Sequence, residues 1–130
     1  MRILADTNIL ISAMLYPNSY PAKALKIATE HHNLVMTDYN IAELRNITRR
    51  KFPHMADDVD EFLGKLTYEL VSAALFPNKL IADPKDTPIL NAAILSGVDI
   101  LISGDKHFLN LDIEYPKVMS VAEYLLLMGA

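Results

Sequence analysis

Short, continuously apolar runs alternate along the chain with longer segments in which apolar residues recur at helical spacing. Such runs are typical of strands that are buried on both faces of a parallel sheet. They predict strands at 3–5, 34–36, 80–82, 100–103 and 118–119. The helical spacing predicts helices at about 8–15, 19–32, 39–50, 57–70, 88–96 and 121–127. Because strands and helices alternate throughout, we expect an α/β domain with a central parallel sheet of about five strands.

The residues at the helix boundaries fit this division of the chain. Asp38 is the predicted N-cap of the third helix, and the Thr-Pro pair at 87–88 begins the fifth. Gly97 is predicted to end the fifth helix, because glycine readily adopts the left-handed conformation that follows a helix. Ser120 and Glu123 form a capping-box pattern for the last helix.

Length and composition indicate one globular unit. The chain has 130 residues, the usual size of a single domain, and we expect one domain over residues 1–130. Its mean hydropathy of +0.18 is somewhat high for a small domain, which indicates that a partner, such as a second copy in a homodimer, covers part of the apolar surface. The absence of cysteine excludes disulfides, zinc–thiolate sites and thiol nucleophiles, and is compatible with a reducing compartment.

The N-terminal segment indicates the compartment of the protein, and the charge balance limits how it can bind nucleic acid. The chain reaches Asp6 too early for the apolar core of a signal peptide, and no apolar run approaches membrane-spanning length. We therefore expect a cytoplasmic protein without membrane contact. The net charge of −4 argues against broad electrostatic coating of nucleic acid, since that requires many Lys and Arg side chains facing phosphates. A contact with nucleic acid that is bridged by metal ions remains compatible with this charge.

Carboxylates stand at positions where a ligand would bind an open α/β sheet. Asp6 follows the first predicted strand and Asp105 follows the strand at 100–103. Ligands of such sheets bind beyond the carboxyl ends of the strands, where the strand order reverses. If these two strands are neighbours, the two carboxylates converge. Asp86 precedes a helix start and Glu43 lies in the second turn of the third helix, so both can reach the same edge.

Carboxylates gathered in this way need a cation. Several of them in one site would repel one another and raise each other's pKa unless a positive ion neutralised them. Mg²⁺ or Mn²⁺ is the natural occupant, because these hard ions take oxygen ligands and commonly act together with substrate phosphate. Two such ions can activate a water and stabilise the leaving oxygen of an in-line phosphodiester displacement. This chemistry is hydrolysis of nucleic acid.

The same residues resemble the PIN-domain family, in particular the VapC-like toxins of bacterial and archaeal toxin–antitoxin pairs. The resemblance spans nearly the whole chain, and its order and spacing are more specific than any single motif. The matching segments are 4–8 (LADTN), 42–44 (AEL), 83–90 (DPKDTPIL) and 102–108 (ISGDKHF). The family's acidic quartet corresponds by resemblance to Asp6, Glu43, Asp86 and Asp105. The polar residues that hold the acids and ligand waters in place correspond to Thr7, Asn8 and Ser103.

The resemblance carries expectations about fold, activity and partners. It implies a three-layer α/β/α sandwich and an endoribonuclease that depends on Mg²⁺ or Mn²⁺ and hydrolyses RNA. It also implies a homodimer and an antitoxin protein that inserts a segment into the acidic groove. The family often has a further acid two residues after the fourth, where this chain has His107.

Basic residues near the acids are candidates for contacts with the RNA backbone. Lys106 and His107 adjoin the fourth acid and are well placed for this role. The run that contains Arg45, Arg49, Arg50 and Lys51 is open to two interpretations. Arg suits phosphate, but basic residues are also favoured near the C-terminus of any helix.

Structural and functional alternatives stand beside this interpretation. Asp6 can serve as a helix N-cap and Asp105 can supply turn chemistry beside a glycine. Asp83 and Asp86 precede the same helix; Asp86 is the better placed, and Asp83 is then a supporting residue. A PIN-like scaffold that binds RNA or protein without cutting is one functional alternative. The other is a phosphatase with an aspartyl nucleophile, which needs a second aspartate where this chain has Asn8.

Overall fold

A computed structural model gives the fold and describes residues 1–72, 87–111 and 113–130. Its strands form one parallel sheet in the order β3-β2-β1-β4-β5. The strands are β1 (Arg2–Ala5), β2 (Asn33–Thr37), β3 (Glu69–Val71), β4 (Ile100–Ile102) and β5 (Lys117–Met119). The α-helices of the described residues are α1 (Thr7–Leu15), α2 (Tyr20–His31), α3 (Asp38–Lys51), α4 (Asp58–Gly64), α5 (Thr87–Leu95), α6 (Lys106–Leu109) and α7 (Val121–Leu127). A 3-10 turn at Pro53–Met55 follows α3.

The sheet lies between two helical layers, because successive residues of a strand point to opposite faces. In β1, Ile3 and Ala5 belong to one core cluster while Leu4 belongs to the other. Helices α1, α2, α3, α4 and α7 contribute buried side chains to the first cluster. Helices α5 and α6 contribute to the second. The predicted three-layer α/β/α sandwich with a five-stranded parallel sheet is confirmed.

The strand order reverses at the centre of the sheet. From β1 the chain proceeds to β2 and then to β3 at one edge, and β4 pairs with the other side of β1. Ala5 is in register with Ile102, so the carboxyl ends of β1 and β4 lie side by side. The two strands are therefore neighbours, which is the condition under which Asp6 and Asp105 are expected to converge.

The fourth helix differs from the sequence prediction. It ends at Gly64 instead of continuing to residue 70, and Leu70 lies in the edge strand β3, where its side chain is 57% exposed. Val59 and Leu63 of the helix are buried, so the apolar residues follow the helical spacing in the structure as far as residue 63. Leu66 and Leu70 continue that spacing in sequence, although both follow the end of the helix. The predicted strand at 80–82 lies outside the described residues.

Helix boundaries follow local hydrogen bonds. The N-cap of α3 is Thr37, not Asp38: its hydroxyl accepts from Asn40 N at 2.9 Å, and its own N–H donates to Asn40 Oδ1 at 3.3 Å. This reciprocal pair caps the helix one residue earlier than predicted, which leaves Asp38 in the first turn. The capping box predicted for α7 is confirmed, with both bonds at 3.1 Å.

Two further boundaries concern α5 and α6. Gly97 follows α5 with a φ of +67°, and Val98 N–H donates to Ala93 O at 3.0 Å, which is a Schellman ending. The short helix α6 begins directly after Asp105 and is absent from the helices predicted from the sequence. Within the described part of the chain, none of the helices has the length and apolar character needed to cross a membrane.

Candidate functional site

Asp6 is buried at the carboxyl end of β1 and begins α1 as its N-cap. Its carboxylate Oδ1 accepts from Ile9 N–H at 3.1 Å, and Oδ2 accepts from the hydroxyl of Ser103. The residue is only 4% exposed. Burial raises the pKa of Asp6 above its ordinary value of 3.8, the Asp105 carboxylate raises it further, and the hydrogen bonds from Ser103 and the α1 backbone partly offset this. A carboxylate in this environment is stabilised by a nearby cation.

Ser103 joins the ends of the two central strands. It follows β4 directly and is fully buried. While its hydroxyl donates to Asp6, its Oγ accepts from Asp105 N–H at 3.0 Å. The hydroxyl therefore fixes the carboxylate of Asp6 and the backbone of Asp105 relative to each other.

A cleft of about 430 Å³ opens at this edge of the sheet. Three of the four predicted acids line it, namely Asp6, Glu43 and Asp105. Asp86, the fourth, and Asp83 lie outside the described residues. The predicted supporting residues Thr7 and Asn8 also line the cleft. The remaining lining residues are Tyr39, Ala42, Asn46, Ile47, Arg50, Lys51 and Ile89.

Asn40, which was not among the predicted site residues, ties α3 to the start of α1. Its side chain is fully buried. Nδ2 donates to Thr7 Oγ1 at 3.1 Å and to Ala5 O at 3.4 Å, while Oδ1 accepts from the Thr37 hydroxyl at 2.6 Å. Asn40 thereby holds Thr7, the residue after Asp6, against the helix that carries Glu43.

A signal for Asn40 was present in the sequence. Asn40, Leu44 and Thr48 are four residues apart and all three are buried, so they share the inward face of α3. A polar side chain at such a position needs hydrogen-bond partners.

Only some of the basic residues that were candidates for RNA contacts line the cleft. Arg45 forms an ion pair with Asp60 of α4 at 2.7 Å, and neither Arg45 nor Arg49 lines the cleft. Lys106 is exposed at the start of α6 and is likewise outside the lining, and the side chain of His107 lies outside the description. Arg50 and Lys51 line the cleft instead.

The three acids of the cleft that the structure describes do not form a closed cage by themselves. Within residues 1–72, 87–111 and 113–130, no three acidic or histidine side chains are grouped closely enough to hold an ion by themselves. Mg²⁺ does not require such a group, because it commonly binds through one or two carboxylates and completes its octahedron with waters and substrate phosphate. Asp6 and Asp105, which interact electrostatically across the β1–β4 junction, fit that mode of binding.

Comparison with known proteins agrees with this arrangement. The family model of the PIN domain matches residues 2–107, and the chain therefore belongs to the PIN-domain family. The chain is 28% identical over 122 residues to the uncharacterized protein MJ1680 of Methanocaldococcus jannaschii, with 85% of this chain and 75% of that protein covered.

The fold is also similar to that of a solved structure. The match is a chain in the crystal structure of VapBC2 from Rickettsia felis bound to a DNA fragment from their promoter. The TM-score is 0.70 at 18% identity, and the match covers 92% of this chain and 97% of that one. At this identity the similarity establishes the shared fold.

Proposed function

We propose that this chain is a metal-dependent endoribonuclease that hydrolyses RNA phosphodiester bonds with Mg²⁺ or Mn²⁺. The observation that carries the proposal is the placement of Asp6, Glu43 and Asp105 in one cleft, at the point where the strand order reverses. Membership of the PIN-domain family supports it, because PIN domains are generally nucleases. In this proposal Asp6 and Asp105 are the principal metal ligands, with Glu43 and Asp86 as further acids.

The chain's own residues hold the carboxylates in place. Ser103 and the Ile9 N–H fix the two oxygens of Asp6, so its orientation is set by the fold before any ligand arrives. Asn40 fixes Thr7 through a buried hydrogen bond, and Asn8 is exposed at the cleft beside them. When bound, a divalent ion would neutralise the acids, activate a water and stabilise the leaving oxygen of the displacement.

We further propose that the chain is the toxin of a toxin–antitoxin pair and acts in the cytoplasm. The structural similarity to a chain of the VapBC2 crystal structure supports an antitoxin partner. Large apolar side chains on the surface support the proposed homodimer or another protein contact. They include Tyr16, Tyr20, Leu126 and Leu127. Co-purification with the product of an adjacent short reading frame, and loss of RNA cleavage in that complex, is the expected result for an antitoxin.

A cleavage assay tests the nuclease proposal directly. Wild type is incubated with structured and unstructured RNAs and with single-stranded DNA, in Mg²⁺, in Mn²⁺ and in EDTA. We expect RNA cleavage that needs the metal and that disappears in Asp6→Asn and in Asp105→Asn, while circular dichroism shows a retained fold. Asp57→Asn, an exposed aspartate outside the cleft, is the matched control and should cut like wild type. Equal cleavage by wild type and both cleft variants would show that the metal-site assignment is wrong.

A further inference from the structure

One face of α3 runs along the cleft for most of the length of the helix. Its lining residues recur at steps of three and four, which places them on one side of the helix. They are Tyr39, Ala42, Glu43, Asn46, Ile47 and Arg50, with Lys51 at the end. The helix therefore presents the cleft with a continuous surface and not with one isolated side chain.

Charge changes sign along this surface. Glu43 lines the cleft together with the acids at the ends of β1 and β4, whereas Arg50 and Lys51 lie at the C-terminal end of the helix. Arg50 follows Glu43 by seven positions. At 1.5 Å per residue their backbones are about 10 Å apart along the helix axis. This separation exceeds the span of one phosphate group, so the acidic and basic ends suit different groups of one ligand.

The two basic residues have no acidic partner within ion-pair distance among the residues described. Among the described residues the ion pairs are Arg2–Glu69, Arg45–Asp60 and Lys65–Glu61. Other basic residues, such as Lys23, Lys26 and Arg49, also form no ion pair with a described acid, but only Arg50 and Lys51 line the cleft that holds the acids. Attraction to the negative end of the helix dipole applies to Arg49 as much as to Arg50 and Lys51. It does not explain why Arg50 and Lys51 line the acidic cleft while Arg49 does not.

We propose that Arg50 and Lys51 bind a phosphate of single-stranded RNA that neighbours the scissile phosphate, so that α3 sets the path of the strand. The proposal rests on the proposed function for the position of the scissile phosphate at the acids. Arg50 and Lys51 are both exposed and able to reach a backbone phosphate, which Arg can bind in a bidentate manner. The cleft, at about 430 Å³, has the size of a pocket for a small ligand, which is compatible with a few nucleotides of a single strand.

Binding measured without cleavage tests the contact itself. The affinity of wild type for a fluorescent single-stranded RNA 12-mer is measured by anisotropy in EDTA at several KCl concentrations. For single strands each neutralised phosphate contributes about 0.7 to the slope of log K against log salt. We expect Arg50→Gln/Lys51→Gln to lower the magnitude of that slope by about 0.7, for the one phosphate that the two residues bind. Arg50→Lys keeps the charge and should keep the slope.

The matched control removes two charges elsewhere. Lys23→Gln/Lys26→Gln changes two exposed lysines of α2, which do not line this cleft, and should leave the slope unchanged. If the control lowers the slope as much as the double variant of α3, the effect is one of net charge and the proposal fails. If neither variant changes the slope, the proposal fails as well.

Substrate length provides a second readout with active protein. A dinucleotide has only the scissile phosphate, so Arg50→Gln/Lys51→Gln should lower its kcat/KM much less than that of the 12-mer. On the 12-mer, wild type should exceed the variant by at least tenfold, with the difference mainly in KM. An equal loss on both substrates would assign these residues to another role. If wild type cuts neither substrate in any metal, the proposed nuclease function fails, and the salt dependence in EDTA still decides the contact.

Discussion

The Ser103 hydroxyl donates to Oδ2 of Asp6 and so connects the residue after β4 to the residue after β1. These strands are neighbours at the reversal of strand order, although they are far apart in sequence. The same Oγ accepts from the backbone of Asp105. One small buried side chain thus sets the geometry between the two principal candidate ligands.

Ser103→Ala should impair catalysis more than it impairs binding or folding. The change removes the hydrogen bond that helps to hold Asp6 ionised and oriented, and partners of this kind commonly contribute 10–100-fold. We expect kcat to fall about 10–100-fold with little change in KM. The acidic limb of the pH–rate profile should move to higher pH, because loss of that bond raises the pKa of Asp6 further. Ser12→Ala, inside α1 and away from the cleft, is the control, and a wild-type profile for Ser103→Ala would contradict the assigned positioning role.

Asp6→Asn should abolish cleavage and yet stabilise the metal-free protein at neutral pH. Because burial raises the pKa of Asp6 in the folded chain, the ionised form disfavours folding at any pH above that raised pKa. Asn removes the charge and remains a good N-cap for α1. We expect the free energy of unfolding at pH 7 in EDTA to increase by about 0.5–2 kcal/mol.

The pH dependence of this difference in the free energy of unfolding identifies its cause. Protonation relieves the penalty in wild type, so the advantage of Asp6→Asn should shrink as the pH falls through the raised pKa and vanish below the ordinary value of 3.8. Urea unfolding of both proteins between pH 3.5 and pH 8 measures it. Asp57→Asn, which changes an exposed acid, should show no such trend. A variant that is less stable than wild type at pH 7 would show that the burial penalty on Asp6 is already compensated.

Asn40→Ala should destabilise the fold strongly. The change removes bonds to Thr7, Ala5 and Thr37, and leaves these buried partners short of hydrogen bonds. Each unsatisfied buried group costs about 1–3 kcal/mol, and we expect a total loss of about 3 kcal/mol in urea unfolding. Asn46→Ala, an exposed asparagine of the same helix, should change stability by less than about 0.5 kcal/mol. A loss for Asn40→Ala as small as that of the control would show that the network adds nothing to stability.

The placement of Asp6 and Asp105 could be predicted from the sequence because it depends on a local rule. Each follows a short apolar strand, and parallel strands bring their carboxyl ends to one edge. The sequence alone could not show that β1 and β4 pair, but the register of Ala5 with Ile102 supplied that missing step. The resemblance to PIN domains added Glu43, which also lines the cleft.

Other features depend on contacts between distant segments and escaped prediction. The edge strand β3 is short and its Leu70 is exposed, so its sequence differs little from an extension of the preceding helix. The choice of Arg50 over Arg45 depends on the rotation of α3 about its axis, which the packing of Leu44 and the pair of Arg45 with Asp60 determine. Neither the edge strand β3 nor the rotation of α3 can be predicted from composition or local spacing.

Tyr124→Phe should leave the protein as stable as wild type or make it more stable. The Tyr124 side chain is fully buried in α7, and its hydroxyl has no hydrogen-bond partner among the residues described. Burial also raises the pKa of Tyr124 to about 12, so the hydroxyl stays neutral in the accessible pH range. Phe removes the unsatisfied polar atom and keeps the ring, which should raise the free energy of unfolding by up to about 1 kcal/mol with an unchanged urea m-value. Tyr20→Phe, which changes a side chain that is 72% exposed, should have no effect, whereas a clear loss of stability in Tyr124→Phe would mean that a buried water satisfies the hydroxyl in solution.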